Sequence, residues 1–97
     1  MRIEITRSAS DDIADGHLFY ESREVGVGYY FENSIMSDIR SLIIYAGIHE
    51  IHFNGYHRMV THHFPYAIFY KVEDEVIRVF AVLDTRRDPE WIRERLN

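Results

Sequence analysis

Tyr66-Ala67-Ile68-Phe69-Tyr70-Lys71-Val72-Glu73-Asp74-Glu75-Val76-Ile77-Arg78-Val79-Phe80-Ala81-Val82-Leu83 is the stretch that decides the fold. It reads with period two and is broken once, by three consecutive acids. Tyr66–Val72 and Val76–Leu83 are therefore predicted strands, with Glu73-Asp74-Glu75 as the tight charged turn between them. Side chains alternate along a strand, so Ile68 and Tyr70 are expected on one sheet face, as are Ile77, Val79, Ala81 and Leu83. Tyr56–Thr61 has the same period and supplies a third strand just upstream. Downstream, Asp88-Pro89 marks a helix start, with Asp at the N-cap and Pro at the first helical position. A short final helix then runs through Trp91 and Ile92.

Before Gly47 the period is different. Phe31, Ile35, Ile39, Leu42 and Ala46 recur at steps of four and three, with Met36 and Ile43 widening the stripe, which is the pattern of an amphipathic helix. Gly47 is its expected stop. An earlier helix is predicted from about Ala9 to Arg23, with Ala9, Ile13, Phe19 and Tyr20 as its apolar positions. Ser8 and Asp11 have the spacing of a capping box, and Asp11 and Asp12 would face the positive end of the helix dipole. Gly26 and Gly28 punctuate a short join, so the two helices must form an antiparallel hairpin. Met1–Thr6 alternates as a short strand with Ile3 and Ile5 on one face. The order β-α-α-β-β-β-α predicts an α+β fold in which a helical hairpin packs on a mostly antiparallel sheet.

Length and composition bound what such a fold can do. The chain has 97 residues, enough for one core and one domain spanning 1–97. Hydrophobic residues make up 46%, which leaves no case for long disorder. With no Cys, disulfides, thiolate zinc sites and cysteine nucleophiles are all excluded, and packing must supply the stability. No stretch approaches the ~20 apolar residues of a membrane span. The N-terminus alternates and runs into acids, unlike a signal or transit peptide, so a cytoplasmic protein with no membrane partner is expected.

The net charge of −5 is unevenly placed. Residues 1–50 carry nine acids against four Arg, while residues 51–97 carry seven of each sign. A protein that grips many phosphates gains most of its affinity from counterion release and should be basic. No strong direct nucleic-acid binding is expected here, and any such contact falls to the C-terminal half. Lys71 is the only lysine; the remaining bases are Arg, suited to planar recognition of carboxylate or phosphate.

Tyr56-His57-Arg58, the segment Phe64-Pro65-Tyr66 leading into its strand, and Ala81-Val82-Leu83-Asp84-Thr85-Arg86-Arg87-Asp88-Pro89 with Trp91, taken with the Gly-rich helical hairpin, resemble the RelE/ParE superfamily. Its members are the toxins of type II toxin–antitoxin modules, often described as plasmid stabilisation proteins. The resemblance spans nearly the whole chain. It implies growth inhibition, a cognate antitoxin as partner, no cofactor and one of two targets. ParE-like members inhibit DNA gyrase without nuclease chemistry; RelE-like members bind the ribosome and cut mRNA in its A site. The fold is common to both, so the site residues must choose.

Metal-free RNA cleavage needs a base for the 2′-OH, cations on the phosphate and an acid for the leaving oxygen. Arg58, Arg86 and Arg87 are the candidate cations if strand pairing brings Arg58 beside the end of the last strand. His62 and His63 are the nearest groups that titrate near neutrality, and Asp84 is a poorer base. Adjacent residues on an extended chain point apart, so His63 is not expected to work with His62. A structural reading competes throughout: Arg58 spanning a sheet face, and Arg86 or Arg87 paired with Asp88 or Glu90. Many nuclease relatives carry a lysine-rich site, a late Tyr or His, or a His where this chain has Asp84; here no Tyr or His follows Tyr70. The expectation is therefore a ParE-like toxin that binds a protein target through Arg86, Arg87 and Trp91. A RelE-like nuclease and an inactive relative that keeps its antitoxin surface are the alternatives.

Two further groups invite readings. His49 and His52 are three apart, but zinc wants three or four ligands on a rigid frame, so the His-rich loop is expected on the surface with no metal. Tyr29, Tyr30, Phe31, Tyr66, Phe69 and Tyr70 could stack bases. Core packing is the expected role of Phe31 and of at least half of the strand aromatics.

Overall fold

In the computed structural model, which describes residues 1–97, the elements follow the predicted order: β1 (Arg2–Ile5), α1 (Arg7–Arg23), α2 (Val27–Tyr45), β2 (His57–Val60), β3 (Tyr66–Glu73), β4 (Val76–Asp84) and α3 (Pro89–Arg95). The strands form one sheet in the order β1-β4-β3-β2, in which only the β1–β4 pair is parallel. The hairpin α1–α2 covers one face. Ala9 and Ile13 of α1 and Phe31, Ile35, Ile39 and Leu42 of α2 pack there with Met59, Ile68, Tyr70, Ile77, Val79 and Val82. On the far face Leu96, just past α3, joins Ala67, Phe69, Ala81 and Leu83, with Trp91 and Ile92 packed against them. Both faces are thus covered, which is why Tyr66–Tyr70 is buried without a break.

Ala81 and Leu83 lie on the face opposite Ile77 and Val79, not beside them. Tyr70 pairs with Val79 and Phe69 with Ala81, so Phe80 is an extra residue on β4. One inserted residue reverses which side every later side chain faces. Alternation could not reveal this, because both faces are apolar and the run through Phe80 reads the same in either phase. The bulge is held from α1 and its cap. Thr6 donates its N–H to Val79 C=O at 3.0 Å and its hydroxyl to Phe80 C=O at 3.4 Å. Asp12 accepts from Val82 N–H at 3.0 Å, and Arg95 beyond Trp91 donates to both oxygens of the same carboxylate.

Asp12 therefore ties α1, β4 and α3 together, and burial pushes its carboxyl pKa upward against the lowering effect of Val82 N–H and Arg95. Removing the carboxylate strands a donor on each of two elements. Asp12→Ala is expected to lose about 1–3 kcal/mol in urea unfolding, the penalty of an unmade buried hydrogen bond. Asp12→Asn keeps an acceptor for Val82 and should lose less than half as much; equal losses for the two variants would contradict this role.

α1 starts at Arg7, ahead of the predicted Ala9, because Thr6 is the N-cap and its Oγ1 accepts from Ala9 N–H at 3.1 Å. Asp11 and Asp12 consequently fall past the first turn, which holds no acid. In α2 the apolar stripe is narrower than predicted, since Ile43 is 51% exposed. The hairpin join is closed by Glu21, whose carboxylate accepts from Gly26 and Gly28 N–H at 2.9 Å each. The Gly26 N–H, followed by that of Gly28, holds this carboxyl below the usual carboxylate range. Gly28 is obligatory here: a Cβ at that position would sit 2.5 Å from the His17 carbonyl oxygen.

Candidate functional site

The α3 side of the sheet carries a groove of about 380 Å³ with an apolar floor of Phe53, Phe69, Leu83, Ile92 and Leu96. His52, Arg58, Arg87 and Arg93 also line it, and no acid does. Strand register explains the gathering. Arg58 pairs with Phe69, which pairs with Ala81, so all three side chains share the face that α3 covers. The turn after β4 then brings Arg87 over the same face, its N–H donating to Asp84 C=O at 3.2 Å. The Arg87 guanidinium lies 4.1 Å from the centre of the Trp91 ring, a cation–π stack at the surface.

Arg86 leaves this groove. Its guanidinium donates to both oxygens of Asp84, at 3.0 and 2.7 Å, and its N–H donates to Asp84 at 2.8 Å. Neither arginine takes the partner expected from sequence: Asp88 caps α3 through Glu90 N–H at 3.0 Å, and Glu90 pairs with Arg93 at 3.4 Å. The Arg86 side chain holds the Asp84 carboxyl below the usual carboxylate range, and the Asp84 carboxylate raises Arg86 in turn. Beside this pair, burial pushes the Tyr66 phenol up to about 12 and raises Tyr20 as well, so both stay protonated.

A carboxyl with a depressed folded pKa stabilises the fold above its unfolded value, near 3.8, and loses that contribution as pH falls through the lower folded value. Arg86→Gln should therefore lower Tm at neutral pH. The gap from the parent chain should close as pH falls below the usual carboxylate range. A gap that stays constant down to strongly acidic pH would show that Arg86 contributes by some other route.

His63 lies elsewhere. It shares a groove of about 400 Å³ against α2 with Tyr30, Asn33, Ser37 and Asp38, its ring 5.8 Å from that of Tyr30. His62 is tied to the buried Asp38, through Nδ1 at 2.6 Å and through its N–H at 3.0 Å. Of the sequence candidates, the fold thus joins Arg58, Arg87 and Trp91 around α3, engages Arg86 with Asp84, and sets His63 apart.

The imidazole beside Arg58 and Arg87 is instead His52, which sequence reasoning left among the loop histidines. Its position depends on a bridge between Ile51 and His57 that folds the loop back along β2, and no spacing in the sequence announces it. The other loop histidines are structural rather than free. The Tyr70 hydroxyl accepts from Gly47 N–H at 3.0 Å and bonds His49 Nδ1 at 2.5 Å. His57 stacks on the Tyr70 ring at 5.0 Å. Burial lowers the His49 pKa, with His57 adding to the effect. No group of three or more His, Asp or Glu side chains is placed to hold a metal, and no helix is long and apolar enough to cross a membrane.

Three guanidiniums around an apolar floor can seat a carboxylate or phosphate whose remainder is flat or greasy. No protein-family model matches the chain, and no curated protein matches it in sequence. In structure it is similar to a chain of the solved structure described as the chromosomal ParDE TA system from P. aeruginosa, with a TM-score of 0.77 and 15% identity, covering 84% of this chain and 92% of that one. The helical hairpin on a four-stranded mixed sheet is thus the fold of a protein from a ParDE toxin–antitoxin system, as the RelE/ParE resemblance implied.

Proposed function

We propose that the chain is the toxin of a type II toxin–antitoxin module, ParE-like in action. It arrests growth in the cytoplasm by binding a protein target such as DNA gyrase and is neutralised by a cognate antitoxin. The observation that carries this reading is the shared fold with a ParDE protein over most of both chains. The site geometry agrees with adhesion. Arg87 and Trp91 present a stacked cation and ring beside a greasy groove, the combination that anchors protein interfaces. The proton-transfer groups first considered for nuclease chemistry are not gathered there, since His63 lies on the α2 side and Asp84 is held by Arg86.

One observation favours the second reading, a RelE-like ribosome-dependent endoribonuclease. His52 faces the same groove as Arg58 and Arg87, which would place a base beside two phosphate-binding cations. The two readings separate in one set of assays. Induction of the chain should stop growth, and the purified protein should block gyrase supercoiling while leaving mRNA on translating ribosomes intact. Cleaved mRNA that becomes intact with His52→Ala would replace the first reading by the second. Unimpeded growth despite tight binding of the neighbouring gene product would identify an inactive relative.

A further inference from the structure

The loop between α2 and β2 supplies one wall of the groove beside α3, through His52 and Phe53. From Gly47 to Gly55 only His49 and Phe53 are turned inward, and every other residue is exposed. Phe53 is the apolar anchor, packed against the cluster of Ala67, Phe69, Ala81 and Leu83. The second anchor is polar and ends on Tyr70 of β3, which is fully buried.

Tyr70 Oη accepts from Gly47 N–H at 3.0 Å and lies 2.5 Å from His49 Nδ1. No other acceptor meets this hydroxyl, so its one proton points to Nδ1 and His49 carries its own proton on Nε2. His57 is the opposite case. Its Nδ1 lies 2.7 Å from His49 C=O, which can only accept, so His57 bears a proton there. No carboxylate is at hand to hold a second proton on His49: the histidine–carboxylate pairs are His17–Glu32 and His62–Asp38. β3 and β2 turn Tyr70 and His57 toward it, while their cations Lys71 and Arg58 lie on the opposite sheet face, over Tyr56 and in the α3 groove. The last turn of α2 ends in Tyr45 and carries no charge, and Glu50 and His52, the nearest titratable residues on the loop, are exposed.

We infer that His49 is a proton-operated latch: with Nδ1 bare it accepts the Tyr70 hydroxyl and seats the loop, and on protonation it releases the loop that brings His52 to the groove. A proton on Nδ1 would face the hydroxyl proton. Turning the phenol away leaves that proton unpaired inside the core, which is costly, and Phe53 is then the one inward anchor left. Burial lowers the His49 pKa, with His57 adding to the effect, so the folded chain favours the neutral ring. Loop closure is therefore complete above the ordinary value of 6.5 and is lost as pH falls through the lower folded value. The latch belongs to the free chain and holds whatever the groove binds.

NMR of the intact isotope-labelled chain tests this. In mildly alkaline buffer the ring nitrogens of His49 and His57 should report opposite tautomers, Nδ1 bare in the first and protonated in the second. The His52 and Arg58 amides donate to Tyr56 and Glu50 C=O across the loop. Their hydrogen-exchange protection should fall about tenfold from about pH 8 to about pH 5, following the His49 titration, on the scale of one lost buried hydrogen bond. Protection across β3 and β4 should hold. In His49→Asn, Oδ1 lies as many bonds from Cα as Nδ1 does and accepts without titrating, so the two loop amides should stay protected throughout. Tyr70→Phe should show weak loop protection at both ends of the range. A proton on His49 Nδ1 in the alkaline buffer, loop amides that do not respond to its titration, or an undiminished fall in His49→Asn would overturn the inference.

Discussion

Reversing the charge at Arg87 is expected to abolish toxicity without unfolding the chain. Arg87 lines both grooves beside α3, the one with Arg58 and another of about 500 Å³ that Asp15 and Phe19 of α1 also line. It reaches solvent stacked on Trp91 and is the one cation common to both. A central Arg anchor is typically worth at least 2 kcal/mol at an interface, which predicts roughly a 30-fold or greater rise in the half-inhibitory concentration for Arg87→Glu. Its stability should remain within about 0.5 kcal/mol of the parent, because Arg87 is exposed and forms no ion pair within the chain. Arg86→Glu is the contrasting variant. It sets two carboxylates against each other at Asp84, so it should reduce stability as well as activity. Full inhibition by a folded Arg87→Glu protein in the supercoiling assay would remove this end of the molecule from the site.

Phe31→Ala is expected to lose about 3–5 kcal/mol, the usual range for deleting a buried aromatic. That is a large share of the stability of any small domain. Phe31 is fully buried where the hairpin meets the sheet. Its ring stacks on Tyr20 at 5.2 Å and meets Phe64 at 5.1 Å and Tyr66 at 4.9 Å. The space it fills was left by Gly16 on the facing helix, where a Cβ would come within 2.4 Å of the ring. Gly16→Ala alone should therefore destabilise by crowding the ring, whereas in the Phe31→Ala background the added methyl enters vacated space. The two changes should be strongly non-additive. Urea unfolding of both single variants and the double variant tests this, and simple additivity would mean that the two residues do not compete for one volume.

The elements and their order were legible because two different periods stand side by side. Phe31 through Ala46 repeats at helical steps, and Tyr56 through Leu83 alternates around a charged turn. What escaped was of another kind. The Phe80 bulge is invisible in a run that is apolar on both faces, so the placement of Ala81 and Leu83 came out reversed. Asp12 was expected only at the helix dipole and nothing in the sequence marks Glu21, yet Asp12 takes the Val82 N–H far away in sequence and Glu21 takes those of Gly26 and Gly28 across a turn. Of the candidate site, Arg58, Arg87 and Trp91 were named from sequence and do meet around α3, because strand register and the turn after β4 carry them there. His52 was not, since only the fold-back of its loop decides which way it faces.

The bulge also constrains how this chain can change over generations. Phe80 is the surplus residue, so deleting it would leave Val79, Ala81, Val82 and Leu83 in regular alternation, each with its present β3 partner and face. What would go is the Phe80 carbonyl that accepts from the Thr6 hydroxyl, while Asp12 would still meet the Val82 N–H. Loss of Val82, by contrast, would turn Leu83 toward the hairpin, because past the bulge the strand has no spare residue. Beyond Phe80, length more than composition is the quantity this strand must conserve.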